Sequence, residues 1–237
     1  MRDYFDWRFW VGKYLRRGYF SALDKQLRGV LPEHEKGVQR EVEKQLRSIY
    51  EENEGRLVDQ ASKFLLMYSS LVLATYRVLF PLIGNRETVI ESIRLALASP
   101  VEPMTRLRIV GMGISPFAPR KAFEQISKNA KRRGERLYGS YFLFEEELQD
   151  EKFSLNVRRC FFHDFFVAHG VPELTGIGCS LDNFWADELK KEKYGVRFER
   201  PTTLALGSDM CRFQFTKVGR EAEGAKGEGD AGAGAGT

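Results

Sequence analysis

The stretch Phe64-Leu-Leu-Met-Tyr-Ser-Ser-Leu-Val-Leu-Ala-Thr-Tyr-Arg-Val-Leu-Phe-Pro-Leu-Ile83 is the most apolar in the chain. Its length is close to the roughly 20 residues that a membrane span requires. Three features argue against a span. Arg77 would lie deep in hydrocarbon, Pro81 would interrupt the last turn, and Ser69, Ser70 and Thr75 dilute the apolar run. The stretch therefore reads as the core helix of a soluble bundle, with no membrane as partner. Upstream, after the Leu31-Pro32 break, residues 33–52 place Val38, Val42, Leu46 and Ile49 or Tyr50 at the spacing of an amphipathic helix with one buried face. Downstream, Gly84-Asn85 ends one helix and Asn85 caps the next, which has Glu87 in its first turn and Val89, Ile90, Ile93 and Leu97 on its apolar face. Residues 33–98 thus form a helical half. Residues 3–20 carry Tyr4, Phe5, Trp7, Phe9, Trp10, Tyr14, Tyr19 and Phe20, as a helix packed on the body or a lid over a pocket would.

Pro100, Pro103, Pro116 and Pro119 bracket a linker or loop. Within it Gly111-Met112-Gly113 is too sparse for a phosphate loop or dinucleotide fingerprint, and no cofactor is expected. A basic helix follows at about 118–136. Leu137–Phe144, Phe153–Val157, Phe198–Leu206 and Cys211–Val218 have the aromatic and branched content of strands, and helical runs are expected at about 158–169 and 181–191. The expected fold class is α+β: a helical N-terminal half packed on a small antiparallel sheet that carries the cysteine motifs, with the pocket between them. One domain, 1–218, would comprise the aromatic segment 1–30, the helical part 33–98 and the mixed part 118–218. The Gly/Ala-rich stretch 219–237 reads as a disordered tail.

Composition bounds the functional classes. The 237 residues (27.3 kDa) are 43% hydrophobic and 30% charged, which excludes a disordered chain and allows a core without disulfide staples. Three cysteines, an odd number, and an N-terminus without a basic and apolar leader point to a reducing, cytoplasmic compartment. Thirty-seven basic against 33 acidic side chains give a net charge of +4, a mixed surface that specifies no partner. The densest basic cluster runs from Arg120 to Arg136. It lacks the interleaved aromatics of a single-strand binder and the spacing of a zinc finger or helix-turn-helix, so it reads as a solvated helix face and no nucleic acid is expected.

Chemistry concentrates between residues 156 and 215. Cys160 and His163, three apart on a helix, would share a face, so the imidazole could draw the thiol proton; equally, Cys160, Phe161, Phe165 and Phe166 could simply pack inward with His163 at the rim. Cys179 and Asp182, followed by Asn183 and Trp185, look like a loop entering a helix, where backbone N–H groups would lower a thiol pKa, although Asp182 could also be only a cap. The thiols are separated by 18 and 31 residues and form no Cys-x2-Cys knuckle, so no metal is assigned. No Gly-x-Ser-x-Gly elbow occurs.

These residues bring a family into view. The run Arg159-Cys-Phe-Phe-His163, the turn His169-Gly-Val-Pro-Glu-Leu174, Cys179-x2-Asp182-x2-Trp185, Phe198-Glu-Arg-Pro-Thr-Thr-Leu-Ala-Leu-Gly207 and Asp209-x-Cys211-x-Phe213-x-Phe215 follow one another in the order found in the L-2-amino-thiazoline-4-carboxylic acid hydrolase family. The chain resembles a fungal-type member, and Arg212 stands where bacterial members are expected to carry Asp. The resemblance implies opening of a cyclic isothiourea to N-carbamoyl-cysteine, with Cys179, Asp182, Cys211, His163 and Cys160 as candidate catalytic residues. Arg200, Asp209, Trp185 and Thr203 are the implied substrate-binding residues. Asp182 would orient the protonated amidine and Arg200 would clamp the substrate carboxylate. Either a thiolate of Cys179 or Cys211 attacks the ring carbon, or water does so with Asp182 or His163 as base.

The expectation is a small-molecule hydrolase acting at a C–N or C–S bond of a heterocycle, in specialised metabolism, with a homo-oligomer allowed. A cyclase or isomerase of a hydrophobic metabolite, or a non-catalytic ligand-binding module, fits the same fold.

Overall fold

The computed structural model describes residues 7–31 and 35–218. The apolar stretch lies in helix α3 (Gln60–Ile83), which the Asp59 carboxylate opens by accepting the Ser62 N–H at 2.8 Å. Pro81 does not cut the helix short: it runs two residues further and stops at Gly84, whose φ of +71° is open to glycine at little cost. By length and composition α3 is the one described helix apolar enough to cross a membrane. In the fold, other helices cover most of it. Leu65, Leu66, Val72, Leu73, Ala74 and Leu79 are almost fully buried, while Arg77 is exposed.

Helix α2 (Glu35–Glu52) packs along α3 with Val38, Val42, Leu46 and Ile49 inward, so Ile49 and not Tyr50 completes the stripe. Helix α4 (Arg86–Val101) is capped by Asn85, whose side chain accepts the Thr88 N–H. Pro100 belongs to its last turn and not to a linker. Helix α1 (Trp7–Arg28) lies across α4 at a close approach, where a Cβ on Gly18 would sit 2.7 Å from Pro100 Cβ. It buries Tyr19, Phe20, Leu23 and Leu27, and the Tyr19 hydroxyl donates to Thr75 Oγ1 at 2.8 Å. Tyr19 and Phe20 of the aromatic segment thus pack on the body and Tyr14 is exposed, while the side chains of Trp7, Phe9 and Trp10 lie outside what the structure describes. Tyr4 and Phe5, like the 219–237 tail, fall outside the described residues.

The supposed linker contains helix α5 (Thr105–Gly111), and the basic helix is α6 (Ala122–Tyr138). The sheet has four antiparallel strands in the order β1-β2-β4-β3, from β1 (Leu143–Gln149), β2 (Lys152–Arg159), β3 (Val196–Glu199) and β4 (Cys211–Lys217). The register pairs Val157 with Cys211, Leu155 with Phe213 and Phe153 with Phe215, so these six residues share the face turned toward the helices. Asn156 and Arg212 pair on the opposite face, so Arg212 points away from the cysteines.

Between β2 and β3 run α7 (Phe161–Ala168), α8 (Thr175–Ser180) and α9 (Asp182–Leu189). The helical half and the sheet are joined by one hydrophobic cluster that reaches from Leu23, Leu66 and Leu73 to Phe144, Val157, Phe161 and Cys211. The α+β architecture is as expected. Three boundaries differ. Leu137 and Tyr138 end α6, and β1 begins only at Leu143. The strand β2 continues to Arg159, so α7 starts three residues later than the expected 158. Strand β3 stops at Glu199, before the φ-restricted Pro201.

Candidate functional site

Asp182 is the hub of a polar cluster where α5, α8, α9 and the strand-β3 exit meet. Its Oδ1 accepts from Arg108 Nη2 at 3.4 Å and from the Trp185 indole at 3.0 Å, and its Oδ2 accepts from Arg200 Nη1 at 3.0 Å. Arg200 also donates both Nη groups to the Cys179 carbonyl and lies over the Phe213 ring at 5.6 Å. Arg108 donates Nη1 to the Leu181 carbonyl at 2.8 Å. The three charged side chains are 26%, 19% and 18% exposed for Arg108, Asp182 and Arg200. Two guanidiniums against one carboxylate leave one net positive charge in a half-buried setting, where screening is weak and an anion is favoured.

The three thiols converge on this cluster. Cys160, Cys179 and Cys211 lie in one another's electrostatic field although they are distant in sequence, and all are free. Burial pushes the Cys179 thiol up to about 12; Asp182 and Cys211 add to the rise, and Arg200 opposes it. Burial likewise raises Cys160 to about 12 and raises Cys211, against the Leu204 N–H donated to Cys211 Sγ at 3.3 Å. Burial thus favours the protonated form of all three thiols at neutral pH.

Two expectations about these thiols are corrected. Cys179 is not in a loop entering a helix: it sits near the C-terminal end of α8, just before α9, and burial outweighs the backbone N–H that meets its thiol. Cys160 and His163 do not share a helix face, because Cys160 is still extended (φ −130°, ψ 121°) as the residue before α7. Its thiol meets the backbone N–H groups of His163 and Phe162, while the buried His163 Nδ1 has no partner among the described residues.

The remaining expected residues divide. Trp185 is buried against Phe198, Phe213 and Phe215 and acts on Asp182 through its indole N–H, so it positions the carboxylate. Asp182 is no helix cap; its oxygens go to the two arginines and the indole. Thr203 is buried in the β3–β4 connection, where its carbonyl accepts the Leu206 and Ser208 N–H groups. Asp209 is not brought in: its side chain is 72% exposed and pairs with Arg158 at 2.7 Å. His169 is bonded to Asn53 instead.

The structure adds three residues that sequence reading missed: Arg108, Tyr68 on α3 and Tyr138 at the end of α6. The hydroxyl of Tyr68 is buried without a partner among the described residues, in the field of Arg108, Asp182 and Cys179, and its ring meets Phe162 edge-on at 5.4 Å. Burial pushes the Tyr138 phenol up to about 12, in the field of Asp182, Arg108, Cys160 and Cys179. Among the described residues no group of three His, Cys, Asp or Glu side chains is arranged to hold a metal. An open groove of about 330 Å³ lies on α2 and α3, lined by Val38, Gln45, Arg77 and Leu82, away from the thiols.

Fold and site together define an α+β protein with a cationic cluster over buried thiols. Residues 108–215, a little under half of the chain, match the model of the L-2-amino-thiazoline-4-carboxylic acid hydrolase family; the matched segment begins at Arg108 and closes on β4. No curated protein matches the chain.

Proposed function

We propose that the protein hydrolyses a small heterocyclic carboxylic acid of the cyclic isothiourea or amidine type, opening the ring at the carbon bonded to sulfur and nitrogen. The observation that carries this reading is the net-positive Arg108–Asp182–Arg200 cluster set over Cys179 inside the family-matched segment. The cationic excess holds the substrate's carboxylate. A carboxylate has about four acceptor positions and three on Asp182 are engaged, so one position on Oδ2 remains to orient a water. With the thiols protonated, water is the nucleophile: Asp182 takes its proton, the oxygen adds to the ring carbon, the C–S bond breaks, and the departing sulfur takes up the proton as a free thiol. The product from L-2-amino-thiazoline-4-carboxylic acid is N-carbamoyl-cysteine.

The test is incubation with that acid followed by mass spectrometry of small molecules and of intact protein. N-carbamoyl-cysteine with no protein adduct is the expected result. An adduct on Cys179 or Cys211 would replace water by a thiol as nucleophile, and neither product nor binding would refute the reading.

A further inference from the structure

We infer that Tyr68 and Arg108 together form the subsite that takes the substrate's carboxylate, so that a residue of the helical half, outside the family-matched segment, sets the selectivity of this chain for an acid. The inference rests on the function proposed above and assigns the carboxylate to different residues from those the sequence suggested.

Arg200, the expected clamp, is engaged: both of its Nη groups donate to the Cys179 carbonyl, Nη1 also donates to Asp182, and its guanidinium lies over Phe213. It is tied to the floor of the cluster. Arg108 is held more loosely, by one short bond to the Leu181 carbonyl and one long contact of 3.4 Å to Asp182. A guanidinium has five N–H groups, so three are left to meet a ligand. Arg108 is also the most exposed of the three charged groups, which places it on the side from which a ligand arrives.

Tyr68 is the second half of the argument. It is 8% exposed, and its hydroxyl is fully buried with no hydrogen-bond partner among the described residues. Burial without a partner is costly, and a buried polar group left so in a folded protein calls for a water, an ion or a functional role to account for it. Among the ionic groups acting on this hydroxyl the charge of Arg108 is the strongest, ahead of Asp182. A neutral phenol donor beside a cation with spare N–H groups is complementary to a carboxylate: one oxygen accepts from Tyr68 Oη–H and the other from the Arg108 fork. Helix α3 delivers the hydroxyl because Phe162, two residues after Cys160, braces the Tyr68 ring edge-on.

The test compares binding of L-2-amino-thiazoline-4-carboxylic acid and its carboxamide by calorimetry, using the full chain, Tyr68→Phe, Arg108→Met and Arg108→Lys, with the melting temperature of each. The parent should prefer the acid. Tyr68→Phe should weaken the acid about tenfold or more and leave the carboxamide unchanged, since a hydrogen bond to a charged group is lost. Arg108→Met should abolish the preference, and Arg108→Lys should restore part of it by keeping the charge. A parent that prefers the acid while Tyr68→Phe keeps the same acid-to-amide ratio overturns the inference and leaves the proposed function standing. Equal weakening of both ligands overturns it too, by showing a packing role. A parent that binds neither ligand removes the proposed function, and the subsite falls with it.

Discussion

Gly139→Ala should be among the most damaging single substitutions in this chain, although it adds one methyl group at a turn. Gly139 ends α6 with φ +77° and ψ −170°, a region of backbone space that residues with a Cβ essentially do not enter; holding one there costs about 1–3 kcal/mol. A Cβ at this position would also run into the Asp59 carboxylate. That carboxylate is not free to move. Its Oδ1 caps α3 through the Ser62 N–H, and its Oδ2 accepts both the N–H and the hydroxyl of Ser140 at 2.6 and 2.9 Å. Displacing it breaks at least the Ser140 bonds, at about 1.5–3 kcal/mol for bonds to a charged group. The two contributions give a loss of about 3–6 kcal/mol, read as a shift of the urea midpoint at constant slope. Asp59→Ala alone should cost about 2.5–4 kcal/mol, as the loss of a cap and of the Ser140 bonds. In the double variant the clash is gone, so the combined loss should fall clearly short of the sum. A Gly139→Ala variant within about 1 kcal/mol of the parent, or strict additivity in the double variant, would refute the clamp. The clamp also has a pH signature. Burial alone would raise the Asp59 pKa, but the Ser140 and Ser62 bonds outweigh it and hold the carboxyl below its ordinary value. Its contribution is therefore complete above the unfolded value of about 3.9 and is lost as pH falls through the lower, folded one. Asp59→Asn should remove that acid-limb loss from a denaturation series.

Further outcomes follow from the site. Tyr68→Phe removes a buried hydroxyl that has no partner among the described residues and should stabilise the ligand-free protein by about 1 kcal/mol, or about 2–4 °C by calorimetry; a fall in melting temperature would show that the hydroxyl has a partner in the protein. Asp182→Asn leaves two guanidiniums facing each other without a countercharge. It should destabilise the fold by about 2 kcal/mol and reduce N-carbamoyl-cysteine formation to background, and retained turnover would exclude Asp182 as base. Cys179→Ala should keep most of the turnover, because a thiol pushed up to about 12 is a poor nucleophile at neutral pH; complete loss with the fold intact would point to thiol attack.

Local periodicity accounts for what the sequence made legible. The stripe Val38, Val42, Leu46 and Ile49, the Asn85 cap and the Cys211-x-Phe213-x-Phe215 alternation each report on a burial pattern repeated within a few residues, and each appears in the fold. Failures came where a local signal served another purpose. Aromatic Tyr138 and Phe142 resemble strand residues, but they stack on each other at 4.8 Å across the Gly139 turn to cover the core. The Cys160–His163 spacing assumed a helix that begins one residue too late to contain the cysteine. At the site, Asp182 and Cys179 were found through a motif, whereas Arg108 and Tyr68 were not. The partner of Arg108 lies 74 residues away, and Tyr68 stands in a run of core residues where an aromatic is ordinary. A buried tyrosine among leucines carries no sign of an unpaired hydroxyl until its neighbours are placed.

The Asp59 clamp and Tyr68 lie on the same rod, and this ties selectivity to a contact remote from the ligand. Nine residues of α3 separate them, a rise of roughly 14 Å along a helix. Arg108 and Asp182 belong to the other half of the chain, so the distance between the Tyr68 hydroxyl and the Arg108 fork depends on how α3 is seated against the α6–β1 turn. Apolar packing on α2 and α4 resists tilting of α3, but smooth leucine contacts resist sliding along the helix axis less well than directed bonds do. The Asp59–Ser140 bonds supply that axial constraint at the N-terminal end. Asp59→Ala should therefore narrow the preference for the acid over its carboxamide as well as lowering stability, whereas a core truncation of similar cost such as Ile93→Ala on α4 should lower stability alone. If Asp59→Ala lowers stability and keeps the acid-to-amide ratio of the parent, α3 is positioned by its apolar faces, and the clamp serves stability only.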